Sequence, residues 1–221
     1  MSIVEVLVAT AIGLLVMAAT VSLFVTNLGN MRRLNIEARV NQDMRTAAEL
    51  VARDLRRAGY WENAVSGTTT NSVTKTTTPN AYVSVSSTPS TDTEGQITYN
   101  FARDANDALD VAEQFGFRLQ SGVIEMKADG LTWQPITNRD VVTISNFTIT
   151  PTVTSLPTGD ICMKPCTAGS VSPEGTKCPT LTVRQYGVLL RGSGKADSQV
   201  TRELRSSIRV RNDQFAGVCP L

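Results

Sequence analysis

One stretch limits everything else in this chain: from Val6 to Met31 no side chain is charged. The run is 26 residues long and rich in Val, Leu, Ala and Ile. About 20 apolar residues already cross a bilayer as a helix, so the stretch is long enough with room for tilt. Thr10, Thr20, Ser22 and Thr26 do not interrupt it, because a helical hydroxyl bonds back to a carbonyl one turn earlier. A secretory signal would have a shorter apolar core, a basic start and a small-residue cleavage site. Here the start, Met1-Ser2-Ile3-Val4-Glu5, is acidic, and no such site precedes Arg32. The segment reads as a retained membrane helix.

The helical pattern continues past the apolar run. Ile36, Val40, Met44, Ala47, Val51, Leu55 and Ala58 recur in steps of three and four and draw one stripe. Arg39, Asp43, Arg45, Glu49, Arg53 and Asp54 occupy the opposite face, with Arg39–Asp43 and Glu49–Arg53 spaced to pair across a turn. Arg56 and Arg57 supply cations for the last carbonyls, and Gly59 suits a left-handed cap. The expectation is one helix ending near Gly59, about 85 Å long at about 1.5 Å per residue. The alternative is an anchor followed by a separate core helix. The organisation read from this pattern is 1–30 as the membrane and assembly half of the helix, 31–59 as its amphipathic half, and 60–221 as a β-rich head.

Tyr60 and Trp61 are placed to start a core against the stripe. Residues 66–93 then hold 16 Ser or Thr, with Pro79 and Pro89, and read as a polar surface loop that contains at most a short strand at Tyr82–Val85. O-linked sugar there, and a sequon at Asn146-Phe147-Thr148 inside a strand, carry little weight. From residue 96 alternation takes over. Ile97–Phe101 is one strand; Phe117–Gln120, Val123–Ala128 and Leu131–Ile136 form a meander with two-residue turns at Ser121-Gly122 and Asp129-Gly130. Val141–Thr150, Leu181–Leu190 and Val200–Arg211 complete the set, the last preferred as strand over helix for its Ile208-Arg209-Val210-Arg211 alternation. The fold class is α+β: a long helix packed on an antiparallel sheet, with a cysteine-bearing loop region towards the carboxyl end.

Chemistry is scarce. The chain has no histidine, which removes the commonest general base and the Ser-His-Asp and Cys-His systems. A net charge of +1 does not indicate a nucleic-acid partner. Gly192-Ser193-Gly194-Lys195 lacks both the earlier glycine and the following hydroxyl of a phosphate loop, and reads as a turn. Asp104, Asn106, Asp107 and Asp110 lack the glycine and closing glutamate of a calcium loop; Asp104 reads as a helix cap. No enzyme activity, cofactor or metal is expected.

Cys162, Cys166, Cys178 and Cys219 form neither a matched zinc knuckle pair nor a set with histidine. Prolines and glycines crowd between them, so disulfides are the natural way to hold the segment. Of three pairings, Cys166–Cys178 with Cys162–Cys219 is preferred because it closes the local loop and anchors the terminus. Free buried thiols are the alternative.

Disulfides need a head outside the cytoplasm, whereas Arg32, Arg33, Arg39 and Arg45 after the apolar run favour the opposite orientation. A removed basic leader before Met1 resolves the conflict. Met1-Ser2-Ile3-Val4-Glu5-Val6-Leu7-Val8-Ala9 resembles the mature start of a type IV pilin, and Glu49–Tyr60 is similar to the helix end of PilW-type minor pilins. The resemblance covers most of the chain. It implies a type IV pilus subunit, cut by a prepilin peptidase and N-methylated at Met1. Such a subunit waits in the inner membrane with a periplasmic head, joins an extracellular filament through major and minor pilin partners, and primes assembly or sits near the tip. Glu5 and the Met1 amino group are its assembly residues; Ala9 and Gly13, four apart, would let helices approach closely. Ser22 stands where many major pilins have proline, so melting of the helix is not carried over. The alternatives are a type II secretion pseudopilin of the J class and a membrane-anchored adhesin or DNA-uptake protein.

Overall fold

The computed structural model describes residues 2–68, 80–88, 95–164, 166 and 177–219. The helix expected from the two consecutive patterns is a single one, α1, Ile3–Leu55, of 53 residues. At about 1.5 Å per residue it is about 80 Å long. It stops four residues short of Gly59, in a turn. Gly59 takes φ +74° as the cap requires, and donates its N–H to Asn100 O at 2.8 Å. The last carbonyls are not met by arginine side chains. Arg56 O accepts the Arg211 N–H at 3.1 Å, and Arg57 O and Ala58 O accept from Asn212 Nδ2.

The stripe is where periodicity places it: Val40, Met44, Ala47, Val51, Leu55 and Ala58 are buried and Ile36 partly so. Asp54 is not on the solvent face; it is buried, pairs with Arg53, and accepts the Tyr99 hydroxyl at 3.4 Å. Asp43 accepts the Asn138 N–H at 2.9 Å instead of pairing with Arg39.

Five short strands form one antiparallel sheet in chain order: β1 (Val85–Thr88), β2 (Gln96–Asn100), β3 (Gln114–Gln120), β4 (Val123–Lys127) and β5 (Trp133–Pro135). Ser121 and Gly122 take φ 49° and 77°, the paired positive values of a tight two-residue hairpin, between β3 and β4. The Asp129-Gly130 turn is wider than expected, since Lys127 pairs with Trp133. There Asp129 caps the Leu131 and Thr132 N–H groups at 3.0 and 2.9 Å. The second sheet contains β6 (Val142–Pro157), β7 (Thr180–Gly194), β8 (Thr201–Arg209) and β9 (Gln214–Ala216), with β7 central and paired to the other three. The segment around Gly192–Gly194 is therefore strand end, not turn. A five-residue helix α2, Ala64–Thr68, follows α1.

Both sheets and α1 share one core, in which Tyr99 stacks near Phe101, Phe115 and Phe117. Helix α1 packs chiefly on β8 and β7. Trp61 is buried away from the stripe, with Tyr82 and Ala102, while Tyr60 is 46% exposed. Most of the Ser/Thr-rich segment lies outside the described residues. Cys162 and Cys219 are bonded, with S–S 2.04 Å and Cα atoms 5.3 Å apart, and Cys166 and Cys178 make the second pair.

Candidate assembly surface

Among the described residues, the apolar half of α1 buries no side chain against the head. Every described residue up to Asn35 is exposed, including Leu14 at 68% and Phe24 at 63%. An 18-residue window within α1 reaches a mean hydropathy of 2.4, so by length and composition it can cross a membrane. Its three threonine hydroxyls are satisfied internally. Thr10, Thr20 and Thr26 donate to Leu7, Met17 and Ser22 carbonyls at 2.9, 2.8 and 3.0 Å, so they place no unmet donor in an apolar surrounding.

Glu5 stands in the first turn of α1, its N–H donating to Ser2 O at 3.0 Å. Among the described residues no cation pairs with its carboxylate. Met1, named with it from the sequence, lies outside the described residues. Ala9 and Gly13 follow Glu5 at steps of four, so all three share one helix face. A side chain built on Gly13 would meet nothing within 4 Å, which leaves that face open to a neighbour. At about 100° per residue the Glu5–Ala9–Gly13 face lies well round the helix from the stripe Val40–Met44–Val51 that carries the head.

The other sequence candidates resolve into structural roles. Asp110, not Asp104, is the cap, closing a reciprocal box with Glu113 at the start of a 3-10 turn. Glu113 accepts the Asp110 and Arg103 N–H groups at 3.1 and 2.6 Å. Burial would raise its pKa, but these backbone donors outweigh it and hold the carboxyl below its usual 4.5. Asp107 accepts Trp61 Nε1–H at 2.5 Å and Asn63 Nδ2–H at 2.9 Å. Among the described residues no cluster of His, Cys, Asp and Glu has the makings of a metal site.

Two contacts invisible in the sequence hold the head to itself and to the helix. Arg184 on β7, 7% exposed, donates to Val83 O and, at 3.1 Å, to Asn212 O, tying three segments around Gly59. Arg202 on β8 pairs with Glu37 on α1. Neither has a local signal, since both partners are distant in sequence.

The sequence that builds this fold is matched by a family model. A model described as PpdB, prepilin peptidase-dependent protein B, aligns with residues 33–210. The aligned span starts where the apolar run ends, so it takes in the amphipathic half of α1 and most of the head. Searches of curated proteins and of solved structures return no match.

Proposed function

The chain belongs to the prepilin peptidase-dependent protein B family, and on that premise we propose that it is a structural, non-enzymatic subunit of a type IV pilus, a minor pilin of the PilW type. The observation that carries the reading is the solvent-open apolar half of α1 with Glu5 as its one charge. In this reading residues 1–30 sit in the inner membrane before assembly, 31–59 join them to the head, and 60–221 are the periplasmic head. After assembly the same subunit lies in the extracellular filament.

A peptidase cut before Met1 frees an amino group, which is then N-methylated. A lone carboxylate within lipid costs about 2.5–3.5 kcal/mol even on lenient insertion scales. The next cation along the helix is Arg32, so the nearest relief is the Met1 amino group of this chain or a neighbour. Met1 and Glu5 are four residues apart in sequence, about 6 Å at the helical rise, a stagger that adjacent helices meet easily. The pair would set the axial register between subunits, with Ala9 and Gly13 admitting close approach beside it.

The test is Glu5→Gln. Pairing predicts a variant that is made, inserted and processed yet missing from sheared filaments; normal incorporation refutes it. Intact-mass analysis of membrane-extracted protein should show a chain beginning at Met1, one methyl heavier. Label on a type II secretion apparatus and not on pili would favour the J-class pseudopilin, and normal function of Glu5→Gln with ligand binding by the head would favour an adhesin.

A further inference from the structure

We propose that the cleft where β8 meets the end of α1 is an oxyanion site, and that its occupant is an acidic side chain of a neighbouring protein subunit. The partner's identity rests on the pilus reading; the site does not. The cleft is about 490 Å³ and is lined by Arg56, Ser207, Arg209, Val210 and Arg211. Arg211 N–H bonds to Arg56 O at 3.1 Å, so two long cationic side chains leave from adjoining points of the backbone.

Their ordinary structural uses are already filled by others. The closing carbonyls of α1 are capped by the Arg211 N–H and by Asn212, so neither Arg56 nor Arg211 is needed there as a side-chain cap. Among the described residues no carboxylate lies within 4.0 Å of either guanidinium. Arg209 shares its charge with Asp213 at 2.8 Å and keeps further N–H donors. Ser207 Oγ accepts from Gln185 Nε2, which leaves its own hydrogen free to donate. Arg184 adds a buried positive charge behind the same corner, bonded to carbonyls only. A wall in which three guanidiniums outnumber the one neighbouring carboxylate, Asp213, favours an anion, and guanidinium forks suit planar carboxylates.

The count favours a protein partner over a nucleic acid. Two free guanidiniums and a shared third would neutralise about three phosphates, a shallow salt slope beside that of dedicated binders. Glu203 and Asp213 flank the strip and would repel a continuous polyanion. One or two carboxylates on a neighbouring surface fit.

The full chain in detergent, titrated with a fluorescent hexaglutamate peptide at 20 mM and 300 mM salt, tests this. Binding at low salt, at least tenfold weaker in Arg56→Gln/Arg211→Gln and unchanged in Arg32→Gln/Arg33→Gln, is the expected result. Circular dichroism melting confirms that the variants are folded. No binding by the wild type, or equal loss in both double variants, overturns the site. A 20-base-pair duplex that outcompetes the peptide overturns the choice of partner. Because the titration needs no filament, its failure leaves the pilus reading intact, and failure of Glu5→Gln to perturb assembly leaves the site intact.

Discussion

Glu113 shows how a single side chain can organise a loop. It is 2% exposed, yet charged, because two backbone N–H groups, one of them closing the capping box, replace the water it lost. Glu113→Gln keeps the volume but turns an amide N–H₂ towards one of those donors. The expected cost is about 1–3 kcal/mol by urea unfolding at neutral pH, the price of one buried donor left unmet. The pH dependence has a definite sign. A carboxyl held below its ordinary value contributes stability above about pH 4.5 and loses it as the pH falls through its folded value. The gap between wild type and variant should therefore narrow in acid; a gap that widens would contradict the assignment. Gly122 is a second position where one atom decides. With φ at 77° and an added Cβ 2.9 Å from Thr143 Cγ2, Gly122→Ala should cost upwards of about 1 kcal/mol in the same assay.

At the scale of elements, α1 is two helices in energetic terms. Met44 is fully buried, and Met44→Ala should destabilise the head by about 2–5 kcal/mol, read by denaturant midpoint. Leu14, 68% exposed, should leave the midpoint unmoved when changed to Ala. This division was legible beforehand, because burial on a helix follows a period that Ile36 to Ala58 keep without a break. The tight turn at Ser121-Gly122 was legible for a similar reason: its demand for positive φ is local. Asp54 was misread for its charge. It stands three residues after Val51 and five full turns after Ile36, so the period itself puts it on the buried stripe, where Tyr99, brought by β2 from 45 residues away, gives it a buried partner. The Asp129-Gly130 turn misled for the opposite reason, since Asp-Gly suits a two-residue hairpin until the Asp side chain caps two later N–H groups and widens it. The arginine cleft was likewise illegible, because β8 and the end of α1 meet only in the folded chain. Glu5 stood out early, because a charge beside an uncharged run needs no fold to be noticed.

For the whole molecule, the consequence is a head that buries nothing from the first three-fifths of its longest element. Every described residue before Ile36 is exposed, so a chain starting at Arg32 discards a large apolar surface and no buried side chain. It keeps Glu37 for Arg202, the stripe from Val40 to Leu55, and both sheets. Such a fragment should stay soluble without detergent and unfold at the same denaturant concentration as the full chain, within about 0.5 kcal/mol, the usual spread for changes away from packed features. The disulfides then become the larger lever. The bond between Cys162 and Cys219 closes a separation of 57 residues, worth roughly 4 kcal/mol by loop entropy. Cys162→Ser/Cys219→Ser in the fragment should lose most of that, and β9, which pairs along only the first three residues of β7, should exchange its amide hydrogens first. If instead the fragment aggregates or melts well below the full chain, the apolar half is packing on the head in a way this fold does not contain, and the separation of anchor from head fails. Equal stability with an early loss of protection at Gln214–Ala216 would show a folded unit carried on α1, with its carboxyl end held by sulfur as much as by packing.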